Sequence, residues 1–183
     1  FIDGMVGGRA VGTPGTVRML ELAHAKHGRL PWPKLFEQAI ALAESGFPVS
    51  DRLHTLLKAD QHLKKDPVAS AYFYTPQGEA WPVGHVLKNL ELAAVLKAIA
   101  KDKSNALHAG GVAQAIVDKV QKHPTNPGKL TLLDLAAYQP KTRSAFCTDY
   151  TAVTQTTYVI CGMPPPSSGA LAVAQILGMT PAM

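Results

Sequence analysis

The sequence predicts an α+β chain: helices first, then one β-hairpin near the C-terminal end, then a final helix. Three observations carry that expectation. Apolar residues recur at helical spacing, behind recognisable caps, over residues 13–138. Two stretches rich in β-branched and aromatic residues, 143–150 and 156–163, stand back to back and read as a hairpin within 143–163. A last helical pattern spans 168–178. Because two strands do not make a stable sheet alone, the remaining strands are expected outside this chain, which then reads as one partial domain over 1–183.

The elements follow in order. A glycine-rich turn, Val6 to Gly15, precedes a first helix with Thr13 or Thr16 as its expected cap and Pro14 in its first turn. That helix should stop at His27, with Gly28 supplying a left-handed exit. Pro33 opens a second helix with Leu35, Phe36, Ala39, Ile40 and Ala43 on one face, and Gly46 ends it. Ser50 caps a third, carrying Leu53, Leu56, Leu57 and Leu63, and Asp66-Pro67 starts a short fourth through Tyr72. Pro76, Gly78, Pro82 and Gly84 make 73–87 a loop or short hairpin. Asn89 caps the helix of Leu90, Leu92, Ala93, Leu96 and Ile99, and another runs from Gly110 to Lys122. Thr131 and Asp134 form a capping box with Asp in place of the usual Glu.

Composition narrows the function. With 183 residues, 46% of them apolar and 17% charged, the chain can bury a real core and is not a disordered tail. No apolar run approaches the ~18 residues that a spanning helix needs. The +5 formal charge is spread thinly, without the stripe of basic and aromatic residues that marks a nucleic-acid surface. The chain starts at Phe1, and its last helical pattern is stopped at once by Gly178 and Pro181, so both ends are expected to be cuts through a longer protein.

The two cysteines, Cys147 and Cys161, have numbers that sum to 308, as do directly opposed residues in a hairpin turning near Thr154. An opposed non-hydrogen-bonded pair brings Cα atoms to about 4.5 Å, within disulfide range. Read as a disulfide, the pair implies an oxidising compartment such as a periplasm. Read as two buried thiols, it implies nothing about compartment.

Candidate chemistry is sparse. Gly7-Gly8 followed by Gly12 fits neither a dinucleotide fingerprint nor a phosphate loop, and reads as a turn allowing close backbone packing. His24 and His27 share a helix but have no third ligand at a recognisable spacing. Ser167 and Ser168 follow Pro164-Pro165-Pro166, but Pro-Ser-Ser-Gly is not the Gly-x-Ser-x-Gly nucleophile elbow. They read as structural: one of the two hydroxyls caps the last helix and Gly169 permits close packing on the sheet. No nucleophile, base and orienter emerge as a set.

Several segments taken together resemble the gamma-glutamyltranspeptidase family. They are Gly7-Gly8-Arg9-Ala10-Val11-Gly12-Thr13-Pro14-Gly15-Thr16-Val17, Leu22-Ala23-His24, Gly28-Arg29-Leu30-Pro31-Trp32, Ala39-Ile40 and Leu42-Ala43-Glu44-Ser45-Gly46-Phe47-Pro48-Val49-Ser50. Leu132-Leu133-Asp134-Leu135-Ala136-Ala137-Tyr138 and Met163-Pro164-Pro165-Pro166-Ser167-Ser168-Gly169 complete the series. Their order and spacing over nearly the whole chain make the resemblance specific.

The resemblance implies a fold and a chemistry. The fold is the four-layer αββα sandwich of an N-terminal-nucleophile hydrolase, of which this chain is a helix-rich part of the large subunit. The precursor, a zymogen, cuts itself, and the new N-terminal threonine of the small subunit attacks gamma-glutamyl amides such as glutathione. The gamma-glutamyl group then passes to water or an amino acid, without cofactor or metal. No catalytic residue is therefore expected here, since Thr156-Thr157 is followed by Tyr158 rather than by the family's His. The substrate-binding arginine lies upstream, and Arg9 does not take its role. The fragment should be inert by itself, and the complete protein periplasmic or secreted.

Three departures stand out. Ala170 occupies the place of the second glycine after the serines, where a methyl is expected to crowd the local packing. Leu107-His108-Ala109-Gly110 replaces the family's aromatic-Tyr-x-Gly, and the loop from Thr151 to Thr157 is longer than the family's tight turn. Two rival readings share the large-subunit pattern: an acylase acting on cephalosporin side chains, and a scaffold that has lost catalysis.

Overall fold

The computed structural model describes residues 4–180. They divide between two compact units, Phe1–Pro140 and Lys141–Met183. Of the two expected stops of the last helix, Pro181 lies outside the described residues, and Gly178 lies within the helix, which runs on to Met179.

The first unit is helical, with α1 (Thr16–His27), α2 (Glu37–Ser45), α3 (Asp51–Ala59), α4 (Pro67–Phe73), α5 (Leu90–Asp102), α6 (Asn105–His108), α7 (Gly110–Gln121) and α8 (Leu132–Ala137). Four starts follow from local side-chain chemistry. Ser50 accepts from the Leu53 amide, Asp66 from those of Val68 and Ala69, Asn89 from that of Leu92, and Thr131 with Asp134 completes a reciprocal capping box. Gly46 ends α2 at φ 96°, a backbone position that favours glycine.

Other boundaries differ from expectation. Neither Thr13 nor Thr16 caps α1. Gly15 holds the cap position and has no side chain with which to accept from the free amides. Gly28 leaves α1 extended, at φ −66° and ψ 138°, rather than left-handed. Glycine is needed there for proximity, because a Cβ would collide with the His24 ring. Pro33 lies in a 3-10 turn, Trp32–Leu35, and α2 starts only at Glu37. Leu63 lies beyond α3, in the turn Leu63–Lys65.

The loop that follows α4 returns to pair β2 (Val86–Leu87) antiparallel with β1 (Phe47–Pro48). Around this ribbon Val49, Leu57, Tyr74 and Leu87 are buried, and the Tyr74 hydroxyl donates to the Leu57 carbonyl at 2.9 Å. The adjacent layer packs α2 along α5, where Ala43 and Ala93 are buried and small enough for close approach. Trp32 covers the end of that layer and donates its indole N–H to the Ile99 carbonyl at 2.9 Å. A further cluster joins Ala113, Val117 and Val120 of α7 to Leu130 and Leu135. A fully buried Leu contributes on the order of 2 kcal/mol through removal from water, so Leu135, at 0% exposure, anchors α8.

The second unit holds β3 (Phe146–Thr151), β4 (Thr157–Gly162) and α9 (Gly169–Met179). The strands pair antiparallel in the expected register, from Phe146 opposite Gly162 to Thr151 opposite Thr157. Cys147 faces Cys161 at a Cα separation of 4.2 Å and is disulfide-bonded to it. The turn is closed by the Ala152 amide donating to the Thr156 carbonyl, with Gln155 at φ 62°. Among the described residues of this unit none is fully buried, and Leu171, Val173, Ile176 and Met179 of α9 stay exposed.

Candidate functional site

The segment Met163–Ser168 carries the chain from β4 to α9. The Ser167 amide donates to the Pro164 carbonyl at 3.2 Å, closing a turn around Pro165 and Pro166. Ser168 holds the cap position at φ −87° and ψ −19°, and no side-chain cap bond is made. The expected cap by Ser167 or Ser168 is thus replaced by backbone alone. A serine already in helical conformation directs its hydroxyl away from the free amides. Among the described residues, neither hydroxyl bonds an imidazole or a carboxylate.

Close packing against the sheet also falls elsewhere than expected. A Cβ on Gly169 would meet nothing within 4 Å, whereas one on Gly162 would lie 2.7 Å from the Cβ of Ala170. The glycine that permits approach is therefore in β4, and the Ala170 methyl occupies the place of its missing side chain. The crowding expected at Ala170 is relieved across the interface. Around this contact a cleft of about 230 Å³ opens between sheet and helix, lined by Phe146, Thr148, Ile160 and Val173.

In the first unit, the Gly7-Gly8 turn lies against the loop after α7. A Cβ on Gly8 would strike the Val120 carbonyl and the Gly128 amide, and Asn126 donates its side-chain amide to the Val6 carbonyl at 2.6 Å. Close backbone packing is what those glycines provide. His24 is engaged through Nε2 with the Leu30 carbonyl at 2.8 Å and meets the Trp32 ring edge-on, which fixes the exit from α1.

Sequence reasoning missed a polar hub. Arg18 donates to the Tyr138 carbonyl at 2.7 Å and, at 3.5 Å, to those of Leu135 and Ala136, so it covers the C-terminal carbonyls of α8. One turn along α1, Glu21 accepts from the Ser104 amide at 3.0 Å and faces Lys103 at 3.8 Å. Partial burial pushes the Glu21 carboxyl up, but the Ser104 hydrogen bonds and the charges of Lys103 and Arg18 outweigh it and hold the group below its ordinary range. His108, 3% exposed, engages the Leu135 carbonyl at 2.7 Å, and no partner reaches its Nε2 among the described residues. In sequence, Arg18 and Glu21 look like a solvated charge pair at i, i+3. Only the long-range fold brings them to α6 and α8.

These arrangements position backbone. They do not assemble a nucleophile with a base. Residues 3–183 match the family model described as Gamma-glutamyltranspeptidase. The chain belongs to that family. It is 36% identical over 172 residues to the glutathione hydrolase proenzyme of Escherichia coli strain K12, a match covering 93% of this chain and 28% of that one. It superimposes on the gamma-glutamyltranspeptidase of Helicobacter pylori with a TM-score of 0.84 at 31% identity, covering 95% of this chain and 48% of that one. It is also 32% identical to the acylase ACY 1 proenzyme of Pseudomonas sp. strain V22, over 97% of this chain and 30% of that one. The chain thus spans about three-tenths of the curated relatives it matches. Its fold is the α+β, helix-rich part of the N-terminal-nucleophile hydrolase architecture that gamma-glutamyltranspeptidases adopt.

Proposed function

We propose that this chain is a large-subunit segment of a gamma-glutamyltransferase and glutathione hydrolase, and that the nucleophile lies outside it, on the small subunit of the same precursor. The observation that carries the reading is the similarity to the Escherichia coli glutathione hydrolase proenzyme across 93% of this chain. In that reaction an N-terminal threonine hydroxyl attacks the gamma-carbonyl carbon of a glutamyl amide. Its own α-amine takes the proton, which then passes to the departing amine. Water or an acceptor amine next cleaves the ester. This chain's residues contribute shape: the hub at Arg18 positions α6 and α8, and the turn closed by Ser167 and Pro164 leads β4 into α9.

The small subunit as partner is supported by the second unit, whose helix and hairpin leave apolar side chains exposed. Disulfide bonding of Cys147 to Cys161 supports a periplasmic or secreted setting. No helix among the described residues is long and apolar enough to cross a membrane. By itself the segment is catalytically inert, because without a nucleophile no acyl-enzyme forms.

A second reading, an acylase of the same fold, rests on the similarity to the acylase ACY 1 proenzyme. The two are separated by giving the complete gene product a gamma-glutamyl amide and, in parallel, a cephalosporin bearing a glutaryl side chain. Faster turnover of the gamma-glutamyl amide supports the transferase. Faster release of the glutaryl group supports the acylase, and turnover of neither substrate removes both.

A further inference from the structure

We propose that the open groove between α4 and the loop that follows it, about 580 Å³ in volume, binds an organic anion: a carboxylate carried on an apolar, ring-bearing body. That volume falls in the range of small-molecule sites. Its polar side chains are all able to donate hydrogen bonds. Lys64 and Lys65 supply two ammonium groups, and Ser70 and Thr75 supply hydroxyls. Neither lysine forms an ion pair among the described residues, and no Asp or Glu is among the lining residues. The nearest carboxylate in sequence, Asp66, is committed elsewhere, to Lys119 at 2.7 Å and to the amides that start α4.

The apolar lining is fixed in place. Tyr74, 2% exposed, is tied through its hydroxyl to the Leu57 carbonyl. The Trp81 indole donates to the Tyr72 carbonyl at 3.1 Å and stacks on His85 at 3.9 Å with the rings 3° from parallel. Pro67 and Pro76 add rigid apolar surface. Lys64 is itself steered: its Nζ lies 5.4 Å from the centre of the Tyr74 ring and 3.5 Å from the Gly78 carbonyl. Lys64 and Lys65, in a groove with aromatic walls and no acid in its lining, complement an anion with a flat apolar body. Asp60, the carboxylate that lies near Lys64, is engaged by the His62 and Leu63 amides. A neutral ligand would forgo the attraction of the two ammonium groups, and a bare small anion would leave the apolar surface wet. No part of this depends on the activity proposed above.

The test is calorimetric titration of the complete gene product with phenylbutyrate, its neutral amide and acetate. The expected result is phenylbutyrate binding with a dissociation constant on the order of 1 mM, weakening as salt rises, with the amide and acetate at least about tenfold weaker. Replacing both lysines (Lys64→Gln with Lys65→Gln) should weaken binding by about tenfold or more. Ala71→Glu, which sets a carboxylate on the groove-lining face of α4, should abolish it. Both variants should keep the parent's thermal midpoint and basal activity. Equal binding of acid and amide would overturn the proposal, as would binding unmoved by either variant, or none up to about 10 mM.

Discussion

Gly162, at the end of β4, and Ala170, in the first turn of α9, share a single methyl-sized space: a Cβ added at 162 would lie 2.7 Å from that of Ala170. Sheet and helix approach at this point because one of the two residues has no side chain. Gly162→Ala should therefore overpack the contact and destabilise the protein by about 1–3 kcal/mol. Ala170→Gly should cost no more than about 1 kcal/mol, from helix propensity. The double variant should recover most of the loss of Gly162→Ala, a coupling that denaturation of the four proteins measures directly. Additive losses would mean that the two residues do not share the space.

Arg18 holds the end of α8 by donating to carbonyls that the helix leaves free. Arg18→Ala should cost about 1.5–3 kcal/mol, the range of hydrogen bonds made by charged groups. Arg18→Lys should recover only part, since an ammonium does not reproduce the planar fork. Urea titration of the two variants against the parent gives both numbers.

Asp66 predicts an acid-sensitive contact. The Lys119 hydrogen bond, then the Ala69 and Val68 amides, hold its carboxyl below its ordinary value. A folded-state value below the unfolded one contributes stability that is present above the unfolded pKa of ~3.9 and lost as pH falls through the lower, folded value. Asp66→Asn keeps a competent helix cap but removes the charge. Its thermal midpoint should therefore fall less than the parent's between about pH 5 and pH 3. Parallel curves for the two proteins would remove Asp66 from the acid response.

The disulfide between Cys147 and Cys161 closes a loop with a sequence separation of 14 in a unit where no described residue is fully buried. Loop closure of that length contributes about 3 kcal/mol. Replacing both cysteines by serine should speed amide exchange across residues 146–162 far more than across α7. Uniform exchange changes, or none, would show that the hairpin is held by other contacts.

What the sequence made legible was local. Ser50, Asp66, Asn89 and Thr131 announce helix starts because a capping side chain reaches only two or three residues on. The hairpin register was readable because two cysteines and a turn determine each other arithmetically. The family was readable from motif order. Thr13, Thr16 and Ser168 misled because capping depends on which residue holds the cap position and on its φ and ψ, which the residue type does not report. α6 spans four residues, too few to show a period. The pairing of β1 with β2, the burial of His108 and the reach of Arg18 across 120 positions to Tyr138 all depend on the tertiary fold. The polar hub was for that reason invisible to any reading of neighbours.

The most direct test of the central claim is release of p-nitroaniline from a gamma-glutamyl anilide, by the complete gene product and by residues 1–183 expressed alone, with N-terminal sequencing of every chain in the complete product. Release by the complete product only is expected, accompanied by a new chain that begins with threonine. Turnover by the 183-residue chain alone would contradict it, and Ser167 and Ser168 would become the first residues to substitute.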